Sequence, residues 1–69
     1  MCDLSLRSFA GMQPKIAERV FIDRSAIIIG DVSIGQDSSI WPLAVIRGDM
    51  HTITIGQRTS IQDGCICHI

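Results

Sequence analysis

Isoleucine marks a six-residue beat along this chain. Ile22, Ile28, Ile34, Ile40 and Ile46 stand six residues apart, and after a three-residue slip the beat resumes at Ile55, Ile61 and Cys67. Four residues after each beat comes a smaller apolar or hydroxyl side chain: Ala26, Val32, Ser38, Ala44, Met50, Thr59 and Cys65. An α-helix would repeat every 3.6 residues and a flat strand every two. A strand that turns a corner every six residues gives the observed two-point pattern. The sequence therefore predicts an all-β chain wound as a parallel β-helix, in which each short strand buries its side chains against the turns above and below.

If three hexads make one triangular turn, the beat sorts into three stacks. Ile22, Ile40 and Ile61 fall on face one, Ile28, Ile46 and Cys67 on face two, and Ile34 and Ile55 on face three. The smaller series stacks as Ala26, Ala44 and Cys65, as Val32 and Met50, and as Ser38 and Thr59. Like residues lie over like, a consistency expected of a correct phasing. Gly30, Gly35, Gly48, Gly56 and Gly64 fall near the corners, where a missing Cβ helps. The slip, at Thr52-Ile53-Thr54, predicts a small loop between faces two and three.

Residues 1–15 lack the period and are punctuated by Gly11 and Pro14, which predicts an irregular N-terminal arm. Residues 16–69 carry the coils, about two and a half of them, with Ile16 to Ile22 as a first strand over the open end. The pattern stops at Ile69 without a polar terminal turn or capping segment, although solenoids need one. The expectation is that these residues are the N-terminal piece of a longer protein.

Charge and cysteine content narrow the function classes. Six basic and seven acidic residues leave a net charge of −1, with no basic run to recruit nucleic acid or an anionic membrane. The longest apolar run, Ala26 to Ile29, is far too short to span a bilayer. No charged segment followed by an apolar core opens the chain as a signal peptide would. Cys2, Cys65 and Cys67 are odd in number and match no secreted disulfide framework, so reduced thiols in a cytoplasmic setting are expected. Cys65 and Cys67 both take inward positions in the phasing, which predicts buried thiols rather than metal ligands.

Two segments depart from the generic repeat: Ile40-Trp41-Pro42-Leu43-Ala44-Val45-Ile46-Arg47-Gly48-Asp49 and Ser60-Ile61-Gln62-Asp63-Gly64-Cys65-Ile66-Cys67-His68. Together with the opening Gln13-Pro14-Lys15-Ile16, they resemble the γ-class carbonic anhydrase-like proteins, a branch of the hexapeptide-repeat superfamily. The resemblance covers nearly all of this chain and less than half of a typical member. It implies a left-handed winding, a homotrimer, and a metal (zinc, iron or cobalt) that activates water against carbon dioxide, with bicarbonate as product. His68 matches the first of three metal-binding histidines. Arg47, Asp49 and Asp63 match salt-bridged positions at the subunit interface, and Gln62 matches a polar residue facing the metal-bound water or bicarbonate. The other two histidines have no counterpart here, and His51 replaces neither, so the metal is expected only if those ligands are supplied from elsewhere. Met50 stands where the best-studied enzymes carry a glutamate.

The residues alone support part of this picture. The phasing places Arg47 and His68 at the same outward position of face two, one turn apart, hence ~4.8 Å between rungs. Gln62 lies one face away, near a corner. Other readings stay open at this stage: a surface histidine at 68, a corner-capping Gln62, and a structural Arg47-Asp49-Asp63 network. Trp41 reads as packing at a face edge and His51 as a loop residue. Two other functions fit the same coils. One is an acyl-CoA-dependent hexapeptide-repeat acyltransferase that uses a histidine base. The other is a non-catalytic, truncated remnant, since one histidine per chain cannot build a three-ligand catalytic metal site.

Overall fold

The computed structural model describes residues 5–68 and is a parallel β-helix of about three turns. Cys2 and Ile69, both weighed above, lie outside the described residues. Face one carries β3 (Phe21–Ile22), β5 (Ser39–Ile40) and β7 (Ser60–Ile61), paired in that order. Faces two and three are spanned by two long bent strands, β4 (Ile27–Ile34) and β6 (Val45–Ile55). On face two β4 and β6 are flanked by β1 (Leu6–Arg7) and β8 (Ile66–His68), and on face three β2 (Lys15–Ile16) pairs with β4. Every strand pairing is parallel.

Register turns the six-residue beat into columns. Ile22, Ile40 and Ile61 stack on face one. Ile28, Ile46 and Cys67 stack on face two, and Ile34 and Ile55 on face three. The interior is small and tightly closed: Ala26, Ile28, Val32, Ile40, Ala44 and Ile46 have no solvent exposure. Each fully buried isoleucine contributes roughly 1.5–3 kcal/mol relative to exposure, so the columns hold the turns together. Ser38, the one hydroxyl of the inward series that is fully enclosed, is satisfied twice. Its Oγ donates to the Gly56 carbonyl (2.7 Å) and accepts from the Thr59 amide (3.1 Å), which removes the cost of burying a polar group.

The slip lies elsewhere than the beat predicts. Gly30 pairs with Gly48, but Val32 pairs with Ile53. The extra residues thus lie between Gly48 and Ile53, and Ile53-Thr54-Ile55 is regular ladder. Met50, expected inside against Val32, is instead 74% exposed, and Ile53 (7% exposed) takes the inward place. A β-branched side chain fits a pleated surface better than flexible methionine, and the register of Ile55 over Ile34 requires Ile53 there. The corner itself is cramped. Gly30 turns with φ +79°, and a Cβ on Gly48 would lie 2.4 Å from the Asp31 carbonyl oxygen.

The segment read as an irregular arm also enters the ladder. Leu6 and Arg7 pair with Ile28 and Ile29, and Lys15 and Ile16 pair with Ser33 and Ile34. Between them Phe9 and Met12 exchange two backbone hydrogen bonds of 2.9 Å, closing a small hairpin. The stretch 16–22 is accordingly split into β2 and β3 by a turn rather than forming a single strand. At the last described turn the thiols differ from expectation: Cys67 stands over Ile46 and is partly covered, but Cys65 is exposed. No described turn lies beyond them to cover Cys65.

Candidate functional site

Face two brings the predicted residues into contact. Its outward column runs Arg7, Ile29, Arg47 and His68 in successive turns. Arg47 and His68 are direct register partners. After Gly48 the chain leaves the ladder, and this places Asp49 beside both. The Arg47 Nη2 donates to Asp49 Oδ2 at 2.9 Å, and His68 Nε2 lies 3.1 Å from Asp49 Oδ1. The Asp49 side chain is 18% exposed, less than either partner. The Arg47 guanidinium, hydrogen-bonded to it, holds the Asp49 carboxyl below the usual carboxylate range, and His68 adds to that in the same direction. The result is an arginine–carboxylate–histidine relay on an outer edge.

The other sequence-predicted residues lie apart from this relay. Gln62 donates through Nε2 to Ser60 Oγ at 2.8 Å. It belongs to a polar seam on face one, where Trp41 Nε1 donates to Ser39 Oγ (2.9 Å) and Ser60 Oγ (3.1 Å). Trp41 also packs on Phe21, with ring centroids 5.1 Å apart. Asp63 is exposed on the adjoining corner and makes no ion pair within the described residues. His51 is exposed in the inserted loop. Burial raises the Cys67 thiol above its ordinary range, with neighbouring Cys65 adding to the effect. A protonated thiol is the poorer ligand and nucleophile.

One feature of the site escaped the sequence reading. The Phe9–Met12 hairpin and the inserted loop occupy the same corner in different turns. With Asp31 between them they enclose an open groove of about 340 Å³ lined by Phe9, Ala10, Met12, Asp31 and residues 48–52. Thr52 hydrogen-bonds Asp31 across it. The signal was the shared position of two off-period segments. A second cavity of about 410 Å³, at the first-turn end, is lined mainly by Leu6, Ile16, Val20, Phe21 and Ile22. Neither Asp49 nor His68 lines it.

Comparison with known proteins fits this architecture. The family model described as bacterial transferase hexapeptide (six repeats) matches residues 13–48. This chain belongs to that hexapeptide-repeat family. Protein YrdA of Escherichia coli K12 is 52% identical over 64 residues, 93% of this chain and 35% of the relative. The carbonic anhydrase of Geobacillus kaustophilus is 47% identical over 60 residues, 87% of this chain and 33% of the relative. Among solved structures, a hexapeptide transferase family protein from Anaplasma phagocytophilum superposes with a TM-score of 0.80 at 32% identity, over 94% of this chain and 51% of that one. The chain spans about a third of the length of these curated relatives. The hexapeptide-repeat chain is thus similar both to a carbonic anhydrase and to a transferase family member.

The donor set sets a limit on metal chemistry. Among the described residues no three His, Cys, Asp or Glu side chains converge as a metal site would require. His68 offers one imidazole with a carboxylate behind it, and two further protein donors would have to come from outside these residues.

Proposed function

We propose that these residues form the first part of a γ-carbonic anhydrase-like metalloprotein. Its complete form is a homotrimer that reversibly hydrates carbon dioxide, and His68 is one of its metal ligands. The observation that carries this reading is His68 stacked on Arg47 with Asp49 joining the two, in a chain 47% identical to a carbonic anhydrase. A metal of the zinc, iron or cobalt type would supply the Lewis acidity that lets water ionise near neutral pH. The residues of this chain orient. His68 presents a ring nitrogen outward, and Arg47 neutralises and fixes Asp49. Asp63, which makes no ion pair among the described residues, would be the carboxylate left for a neighbouring subunit's cation. Gln62, which gives one amide hydrogen to Ser60, would have the other to offer a small oxyanion.

The test uses the longest form that the source cell makes, with metal content and stopped-flow carbon dioxide hydration measured on wild type and His68→Ala. The expected result is stoichiometric metal and hydration above buffer in wild type, both lost in His68→Ala with the trimer intact. A variant that keeps its metal and loses its assembly would reverse the assignment. An acyltransferase is the second reading, supported by the likeness to a hexapeptide transferase family protein. Release of free coenzyme A from an acyl-CoA in the presence of an amine or hydroxyl acceptor, without metal, would favour it.

A further inference from the structure

Period-two alternation at the end of face one puts Ser39 and Trp41 on the outer side of one turn, and Ser60 and Gln62 on the outer side of the next. Ser39 and Ser60 are register partners, and Trp41 and Gln62 both fold back onto their hydroxyls. The indole N–H reaches Ser39 Oγ at 2.9 Å and Ser60 Oγ at 3.1 Å, and Gln62 Nε2 reaches Ser60 Oγ at 2.8 Å. An indole nitrogen can only donate, so both serine oxygens accept from it. Ser60 Oγ has two lone pairs, and the indole and the glutamine amide take them. We propose that Trp41 is a positioning residue: its N–H, shared between two turns, fixes Ser60 Oγ as the acceptor that holds the Gln62 amide.

Trp41 is itself held on two sides. Its backbone amide donates to the Ile61 carbonyl at 3.0 Å, which carries the ladder one residue past β5. Its ring packs on Phe21, the register partner of Ser39 in the turn before. The tryptophan therefore packs on one turn, belongs to the next and donates into the third. Packing alone does not account for this placement, because a phenylalanine would cover Phe21 as well and has no N–H to give. Gln62, by contrast, is exposed. A long amide side chain loses rotamer freedom when it takes a ligand, and a side chain held beforehand is spared that loss. The inference deepens the reading of Gln62 as a donor to a small oxyanion and takes its purpose from it.

The experiment is ¹⁵N NMR relaxation of the glutamine side-chain amides in the 69-residue chain. Gln62→Ala assigns the signal, and the exposed Gln13 is the internal reference. In wild type, Gln62 is expected to exceed Gln13 and to keep an order parameter above about 0.6, the level below which a group counts as flexible. Trp41→Phe is the decisive variant, since it keeps a ring on Phe21 and removes the donor. Gln62 is expected to fall to the mobility of Gln13, while Gln36 and Gln57, joined to each other, do not move. Ser60→Ala should give the same loss, the double variant no more than either, and Ser39→Ala should leave Gln62 ordered. A Gln62 as mobile as Gln13 in wild type, or one still ordered in Trp41→Phe, would overturn the proposal. If Trp41→Phe does not fold, Ser60→Ala decides: the indole N–H resonance must shift as Gln62 is freed, and either change without the other overturns it. Metal content and hydration do not enter this readout. A chain that fails those and still ties Gln62 to Trp41 therefore loses the proposed function and keeps the positioning role.

Discussion

Between faces three and one the chain turns with the same four-residue span in every turn: 17–20, 35–38 and 56–59. Between faces two and three the span changes each time, with seven residues from Ser8 to Pro14, a close turn at Gly30–Asp31, and the longer excursion of residues 49–52. The first corner repeats its backbone as well as its length. Arg19, Asp37 and Arg58 occupy equivalent places, all with φ between 53° and 60°. Arg19 clasps Asp37 through two hydrogen bonds of 2.7 and 3.1 Å, and Gln36 and Gln57 join at 3.2 Å. That corner is scaffold. The irregular corner holds Asp49, Met50, His51 and the groove. Because the ladder fixes only the strands, chemistry collects where length is free to vary.

The comparison can be broken most forcefully with two alanines. At the irregular corner, Gly48→Ala drives a Cβ into the Asp31 carbonyl, and overpacking of this kind should cost about 3 kcal/mol. At the regular corner, Gly56→Ala meets nothing nearer than the Thr59 hydroxyl at 3.7 Å. It should be neutral or stabilising by roughly 0.5 kcal/mol through the unfolded chain. Urea unfolding of both variants checks the pair, and equal losses would show that the two corners are equally constrained. A smaller effect is expected from deleting residues 49–51. Thr52 would then follow Gly48 as Asp31 follows Gly30, and the ladder from Ile53 onward would keep its register. The shorter loop should change stability by about 1 kcal/mol or less, while the arginine–carboxylate–histidine relay disappears. Strong destabilisation in the same unfolding assay would mean that the loop is part of the scaffold.

The smallest expected effect concerns acid. The guanidinium of Arg19 holds the Asp37 carboxyl below its ordinary range. A carboxyl lowered in the folded state stabilises it above the unfolded value. That contribution fades as pH falls below about 3.9 and through the lowered folded value. Both groups are well exposed, so the pair is worth little and salt should screen it. Melting followed from pH 6 to pH 2 should show a shallower acid decline in Asp37→Asn than in wild type. Parallel curves would remove Asp37 from the account.

The residue pattern carried the stacking of the strands because isoleucine recurs at positions where nothing else varies. It did not locate the insertion, because Met50 is apolar and satisfies the four-residue count taken forward from Ile46, which passes over Ile53. Counting backward would have decided it: Val32-Ser33-Ile34-Gly35 reads onto Ile53-Thr54-Ile55-Gly56. The first turn was hidden for a similar reason, since the Ser8–Pro14 excursion separates Leu6 from Ile16 and erases the period. For the site, the phasing brought Arg47 and His68 together. The contact of Asp49 with both depends on where the chain leaves the ladder after Gly48, and no periodicity encodes that departure.

The parallel stacking also has a kinetic consequence. Ile28 meets Ile46, and Ile46 meets Cys67, so every ladder joins residues about one full turn apart in sequence. No strand finds a partner within its own turn, and loop closure must precede each gain in contact. During synthesis, the edge of β4 opposite β1 and β2 therefore waits unpaired until β6 leaves the ribosome. The single pairing between those two longest strands is the natural nucleus, after which each further turn adds to a template already in place.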